Sequence, residues 1–153
     1  MEKTTQDIVY CDAGFFTKPD EKNGNAILGI IYGKEVTRIK AKAKNATIAE
    51  LLAILMAKKL YPNKLVVNDC KAVTDMITQN RAGSLKHLLR MHKADVKMAQ
   101  FLIDTVNTAG IMWQRRRTDE VTCMVDSATR RQLSQNYLYR LTRKGYTLRE
   151  CGF

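Results

Sequence analysis

Residues 36–60 read VTRIKAKAKNATIAELLAILMAKKL, and within this stretch the hydrophobic period changes. Val36 to Ala43 alternates apolar and basic residues, with Arg38, Lys40 and Lys42 in one phase, as a strand with one wet face would. From Thr47 the apolar residues fall at Ile48, Leu51, Leu52, Leu55, Met56 and Leu60, which is helical spacing. A period of two giving way to one of 3.6 places a strand directly before a helix, and so points to an α/β class.

The flanking sequence extends the pattern. Ile8-Val9-Tyr10-Cys11 is a β-prone run, and Lys18 to Gly24 reads as an exposed turn. Ala26 to Tyr32 is a second strand, joined to the third through Gly33-Lys34-Glu35. The opening is therefore an antiparallel three-stranded meander. Pro62 and Asn63 close the first helix, and Leu65-Val66-Val67, with no polar alternation, suits a buried parallel strand. A helix from about Lys71 to Thr78 follows, then a helical stretch from Ser84 to about Val106 bearing Lys86, Arg90, Lys93 and Lys97. Ile111-Met112-Trp113 is a fifth strand, and Asp119 to Leu133 a last helix. The order β-β-β-α-β-α-α-β-α describes a mixed five-stranded sheet flanked by helices. One domain is expected over residues 1–135, and the basic, aromatic tail at 136–153 has no assigned place in it.

Composition supports that reading. With 153 residues the chain has one domain's length, and 45% apolar with 27% charged residues is the mixture of a globular protein, not of a disordered, collagen-like or coiled-coil one. The charge is unusual. Lys and Arg number 26 against 15 Asp and Glu, a net +11, with an isoelectric point near 9.7, and such an excess attracts a polyanion. The longest unbroken apolar run, Leu51 to Ala57, is far short of the roughly 20 residues a spanning helix needs. Met1 to Tyr10 lacks a signal-peptide core, Cys151 is misplaced for prenylation, and the four cysteines form no close pair. These features lead to the expectation of a cytoplasmic protein with reduced thiols and no membrane partner.

The acidic residues carry the chemistry. Asp12 closes an apolar strand on which Ile8, Tyr10 and Asp12 share one face and Val9, Cys11 and Ala13 the other. Asp69 repeats the arrangement after Leu65-Val66-Val67-Asn68. Two carboxylates at the ends of central strands repel each other unless a cation lies between them; each has a structural alternative as a cap for the following turn or helix. Glu50 ends Thr47-Ile48-Ala49-Glu50, a capping-box pattern, and on that evidence alone capping is the simpler reading. Asp126 by itself reads as a helix-surface acid.

Taken in order, Tyr10-Cys11-Asp12-Ala13-Gly14, Ala49-Glu50-Leu51-Leu52-Ala53-Ile54, Val66-Val67-Asn68-Asp69-Cys70-Lys71 and Val125-Asp126-Ser127-Ala128 resemble the ribonuclease H (RNase H) family. That family carries an Asp on the first strand, a Glu on the first helix, an Asp ending the fourth strand and an Asp near the last helix. The separations here, 38 residues from Asp12 to Glu50 and 19 from Glu50 to Asp69, lie in or close to its usual range. The resemblance covers residues 7 to about 131 and includes the Trp113 strand.

The resemblance implies an endonuclease that hydrolyses the RNA strand of RNA/DNA hybrids with two metal ions. Asp12 would bridge both ions, with Glu50 and Asp69 completing one and Asp126 the other. An all-carboxylate set suits Mg²⁺, with Mn²⁺ as a substitute. Asn45, Thr47, Lys71 and the run Arg115, Arg116 and Arg117 are the expected nucleic-acid contacts, and a monomer is expected. Asp119 and Glu120 are alternatives to Asp126, though acids in a first helical turn usually answer the helix dipole. His87 and His92, five apart, do not share a helix face and read as surface residues. Cys11, Cys70 and Cys123 read as small buried hydrophobes, because a thiolate is a poor Mg²⁺ ligand.

The chain departs from the family at the positions that touch substrate. Asp-Gly is Asp12-Ala13 here, and the polar pair before the glutamate is Ala46-Thr47, with Asn45 one place early. The loop histidine of many members gives way to Arg115-Arg116-Arg117. Metal chemistry survives such changes more easily than hybrid selectivity, which reads the 2′-OH in the minor groove. Two alternatives follow: a nuclease for branched DNA (a dimeric junction resolvase), or a binding module whose catalysis has decayed.

Overall fold

The computed structural model describes residues 7–17, 24–43, 45–78, 110–115 and 119–152. The expected turn before Gly24, the basic stretch from Ser84 with His87 and His92, and Arg116 and Arg117 lie outside the described residues. The chain runs β1 (Ile8–Phe16), β2 (Gly24–Tyr32), β3 (Glu35–Ala43), α1 (Ala46–Leu60), β4 (Leu65–Asn68), α2 (Lys71–Thr78), β5 (Ile111–Trp113), α3 (Glu120–Ala128), α4 (Gln135–Arg143) and β6 (Thr147–Gly152).

The sheet order is β5-β4-β1-β2-β3-β6. β1, β2 and β3 form the antiparallel meander, while β4 pairs parallel to β1 and β5 parallel to β4. The sheet has six strands rather than the expected five, because the tail supplies β6, parallel to β3 from Glu35↔Thr147 to Lys40↔Gly152. The expected last helix from Asp119 to Leu133 is shorter, and the tail supplies a further helix as well as β6. α3 stops at Ala128, and Ser134 starts α4 by accepting the Tyr137 N–H at 3.1 Å. α4 ends in a Schellman turn: Gly145, at φ 78°, donates to Thr142 and Tyr146 N–H donates to Leu141. That turn sends the chain back along β3.

Two apolar layers sandwich the sheet. Val9, Cys11, Leu28, Ile30 and Val66 pack against Ile48, Leu51 and Leu55 of α1. Tyr10, Ile31, Val36 and Val67 pack on the other face against Met124 and Val125 of α3 and Tyr137 and Leu141 of α4. The face alternation along β1 is thus the one its sequence dictates.

α3 lies very close to the strands, and two glycines permit this. A Cβ on Gly29 would stand 3.2 Å from the Val125 carbonyl oxygen, and one on Gly14 would strike the Thr129 carbonyl. Arg38 then fastens the end of α3. This side chain is 6% exposed, so the wet face expected of β3 begins only at Lys40. Its guanidinium donates to the carbonyls of Ala128 (2.9 Å), Arg130 (2.6 Å) and Arg131 (3.4 Å), and it pairs with Glu150 on β6.

Candidate metal centre

Asp12, Glu50 and Asp69 converge where β1, α1 and β4 meet. β1 and β4 run parallel, with Cys11 opposite Asn68, so Asp12 and Asp69 emerge side by side. Glu50 reaches them from the first turns of α1. The capping box expected for this helix is not what forms: Asn45 is the N-cap, accepting the Ile48 N–H at 2.9 Å, and the helix begins at Ala46. With its end satisfied by Asn45, Glu50 turns toward the strands. It accepts the Ala13 N–H at 3.3 Å on one oxygen and Asn68 Nδ2 at 3.0 Å on the other.

One oxygen from each of the three carboxyl groups lies within 4.8 Å of the others. Asp12 is 3% exposed, while Glu50 and Asp69 are partly buried. Burial first, then the neighbouring charges of Glu50 and Asp69, push the Asp12 carboxyl up to about 9. Burial raises Glu50 as well, against the opposing hydrogen bonds from Asp12, Asn68 and Ala13. A crevice of about 10 Å³ opens beside Asp12 and Asp69, bordered by Tyr10, Asn68, Gln114 and Thr122. That is room for a single water- or ion-sized guest. An oxygen-only set that repels itself when ionised fits a hard divalent cation.

Asn68 is the organiser that the motif reading passed over. Its Nδ2 donates to Glu50 and to the Cys11 carbonyl (3.1 Å), and its Oδ1 accepts the Cys70 N–H at 2.7 Å. A polar residue closing the otherwise apolar Leu65-Val66-Val67 run was its signal, since a buried amide needs partners. Trp113 Nε1 donates to the Asp69 carbonyl at 3.0 Å and steadies the turn after β4. Cys11 lies on the α1 face, as its phase on β1 requires, and burial raises its thiol well above the usual range, whereas Cys70 is only partly buried and Cys123, expected to be buried, is exposed on α3.

The fourth carboxylate is not part of this cluster. Asp126 sits on α3 and pairs with Arg130 at 3.3 Å. Asp119 is the N-cap of α3, accepting the Thr122 N–H at 2.8 Å and a Gln114 Nε2 hydrogen bond at 3.3 Å, and Glu120 pairs with Lys144, the C-cap of α4. Among the expected nucleic-acid contacts, Thr47 is half-buried, Lys71 is exposed and pairs with Asp75 at 2.8 Å, and Arg115 is exposed.

A meander continued by parallel β4 and β5, with acids on β1, on α1 and just after β4, is the arrangement the sequence resemblance called for. The fold is RNase H-like. Among solved structures this RNase H-like chain is similar to RNase H1 from Halobacterium salinarum NRC-1 (12% identity, covering 72% of this chain and 86% of that one, TM-score 0.48). It is also similar to the N-terminal RNase H domain of rv2228c from Mycobacterium tuberculosis, a maltose-binding-protein fusion (10% identity, 90% and 98% covered, TM-score 0.49). A third is LC9-RNase H1, a type 1 RNase H with the type 2 active-site motif (12% identity, 92% and 85% covered, TM-score 0.45). No protein-family model and no curated protein matches the sequence. Among the described residues, no helix is long and apolar enough to cross a membrane.

The electrostatics make a stability prediction with a definite sign. The folded Asp12 carboxyl is raised to about 9 from an ordinary value near 3.8. The metal-free folded state therefore holds a proton that the unfolded chain releases. Stability is greatest below pH 4 as far as this group is concerned, and declines as pH rises toward 9. A bound cation displaces the proton and removes the decline. Thermal unfolding with chelator and with Mg²⁺ at pH 5 and pH 8 is the check. The metal-induced gain in Tm is expected to be larger at pH 8, and an equal gain at both would contradict the buried-acid account.

Proposed function

We propose that this chain is a divalent-metal-dependent endonuclease that hydrolyses the RNA strand of RNA/DNA hybrids. The observation that carries the reading is the convergence of Asp12, Glu50 and Asp69 on an RNase H-like sheet in a protein of net charge +11. These three side chains would hold Mg²⁺ or Mn²⁺, with Asp126, freed from Arg130, as the fourth ligand of a two-ion site. Bound there, such ions supply positive charge that activates a water and stabilises the departing oxygen. The chain's own groups do the positioning. Asn68 and the Ala13 N–H aim the Glu50 oxygens, the same N–H holds Asp12 at 2.8 Å, and Trp113 fixes the backbone that carries Asp69. Thr47, Lys71 and Arg115 to Arg117 would contact the nucleic acid, with the enzyme acting as a monomer.

A second reading, a dimeric nuclease for branched DNA, has support from one position. Asn45 has its side-chain oxygen engaged as a helix cap, so the first groove-reading place on α1 is filled by Ala46. End-labelled hybrid and four-way DNA junction, each with Mg²⁺ and with chelator, separate the readings. Metal-dependent cuts confined to the RNA strand are expected. Cuts in the junction alone would favour the second reading, and no cleavage of either would leave only nucleic-acid binding.

A further inference from the structure

The face of the sheet that carries Asp12 does not end under α3. In register, Asp12, Gly29 and Arg38 form one row, Gly14, Ile27 and Lys40 the next, and Phe16, Asn25 and Lys42 the one after. Cross-strand partners and every second residue share a face, so all three rows point to the α3 side. α3 covers the first row and stops; Thr129 closes over Gly14. Beyond its end lies an open groove of about 600 Å³, lined by Phe16, Asn25, Ile27, Lys40, Lys42 and Arg131. Lys42 Nζ donates to Asn25 Oδ1 at 2.5 Å, which sets its ammonium along the groove wall. Lys40 and Arg131 are exposed, and among the described lining residues there is no carboxylate.

We propose that this groove is a second nucleic-acid contact, which takes the phosphodiester backbone of the bound duplex away from the metal centre. Three cations among the described lining residues, around a floor of Ile27, match the regularly spaced charges of a polyanionic strand. The Lys42 row lies four residues from Asp12, about 14 Å along the strand. That separation places the groove beyond the scissile position yet within one turn of a duplex, about 34 Å. Contacts of this kind fix register and add affinity without reading bases.

The inference rests on the reading of the chain as nucleic-acid-directed, and its test keeps the two apart. Binding of a short fluorescein-labelled RNA/DNA hybrid and of the matching DNA duplex is measured by anisotropy in chelator, across about 50–200 mM salt. Lys40→Gln with Lys42→Gln is compared with Lys34→Gln with Lys59→Gln, which removes equal charge from exposed sites in the β2–β3 turn and in the last turn of α1. The groove pair is expected to lower the salt slope by about 2 and to weaken binding roughly tenfold or more at 0.1 M salt. The distal pair is expected to leave the slope close to parental, and Lys40→Arg with Lys42→Arg to restore it. If the parent binds and the groove pair keeps its slope and affinity, the groove proposal fails and the nuclease reading stands. If the parent binds neither duplex in a salt-dependent manner, both fail. Groove-dependent binding to phosphatidylserine vesicles in preference to both duplexes would also overturn it, by assigning the groove to a lipid surface.

Discussion

Asp12→Asn is expected to abolish metal-dependent cleavage and, in the same protein without metal, to raise the melting temperature. The two effects have one origin. Asp12 is the most buried of the three clustered acids, and its carboxyl is pushed up to about 9 by burial and by Glu50 and Asp69. Asparagine is nearly isosteric and neutral, so the proton that the folded state must otherwise hold at neutral pH is no longer needed. The stabilisation at pH 7 is on the order of 2–4 kcal/mol, given that each pKa unit corresponds to about 1.4 kcal/mol and that the three acids share the repulsion. Turnover moves the other way, by about 10²–10³-fold or more, the scale on which removal of one group stabilising a transition state is felt. The checks are a single-turnover hybrid assay and unfolding curves in chelator at pH 5 and 8. The variant should lose the metal-induced gain in Tm and show a smaller pH decline, the remainder coming from the partly buried Glu50. A variant less stable than the parent in chelator would show that Asp12 serves packing, and one that cleaves normally would place the chemistry elsewhere.

This opposition between activity and stability explains a pattern visible in the sequence. Asp12 closes a run of apolar residues, and Asn68-Asp69 closes another, where elementary burial arguments would place more hydrophobes. Local rules broken at two adjacent strand ends are a signature of a site rather than of a core. The meander, α1, β4 and the face alternation of β1 were legible for the complementary reason, because each follows directly from hydrophobic period. Glu50 was harder. Its pattern fits a capping box, and the choice between cap and ligand turned on Asn45, whose oxygen reaches Ile48 N–H first. The tail was harder again. Ser134, Tyr137, Leu141 and Gly145 spell a capped helix with its stop, but nine residues of α4 and six of β6 carry too few apolar positions to stand out among six basic ones between Arg130 and Arg149. Only pairing with β3 makes that strand, and pairing is a long-range fact. Arg38 was concealed most completely, since its alternation with Lys40 and Lys42 reads as a solvated face while its guanidinium is enclosed by α3 and β6.

Arg38→Met should therefore destabilise the protein far more than Glu150→Gln, although the two residues form one ion pair. Arg38 is 6% exposed and supplies donors to three carbonyls at and just beyond the end of α3. Methionine fills much of the volume and leaves those carbonyls facing apolar atoms, at a cost of about 1–3 kcal/mol for a buried polar group that loses its partner. Glu150 is different: its side chain is 51% exposed, so water replaces the lost charge, and exposed pairs contribute about 0–1 kcal/mol. For a chain of this length Arg38→Met should lower Tm by about 5–10 °C, and Glu150→Gln by no more than about 3 °C. Equal losses would mean that the ion pair, and not the carbonyl contacts, fastens the helix. The consequence reaches the metal centre because Arg38 shares a sheet row with Gly29 and Asp12, and α3 rests on that row through Val125 and Thr129. A helix released at its carboxyl end changes the wall of the crevice beside Asp12. Arg38→Met is thus expected to weaken the metal-induced gain in Tm, while Glu150→Gln leaves it intact.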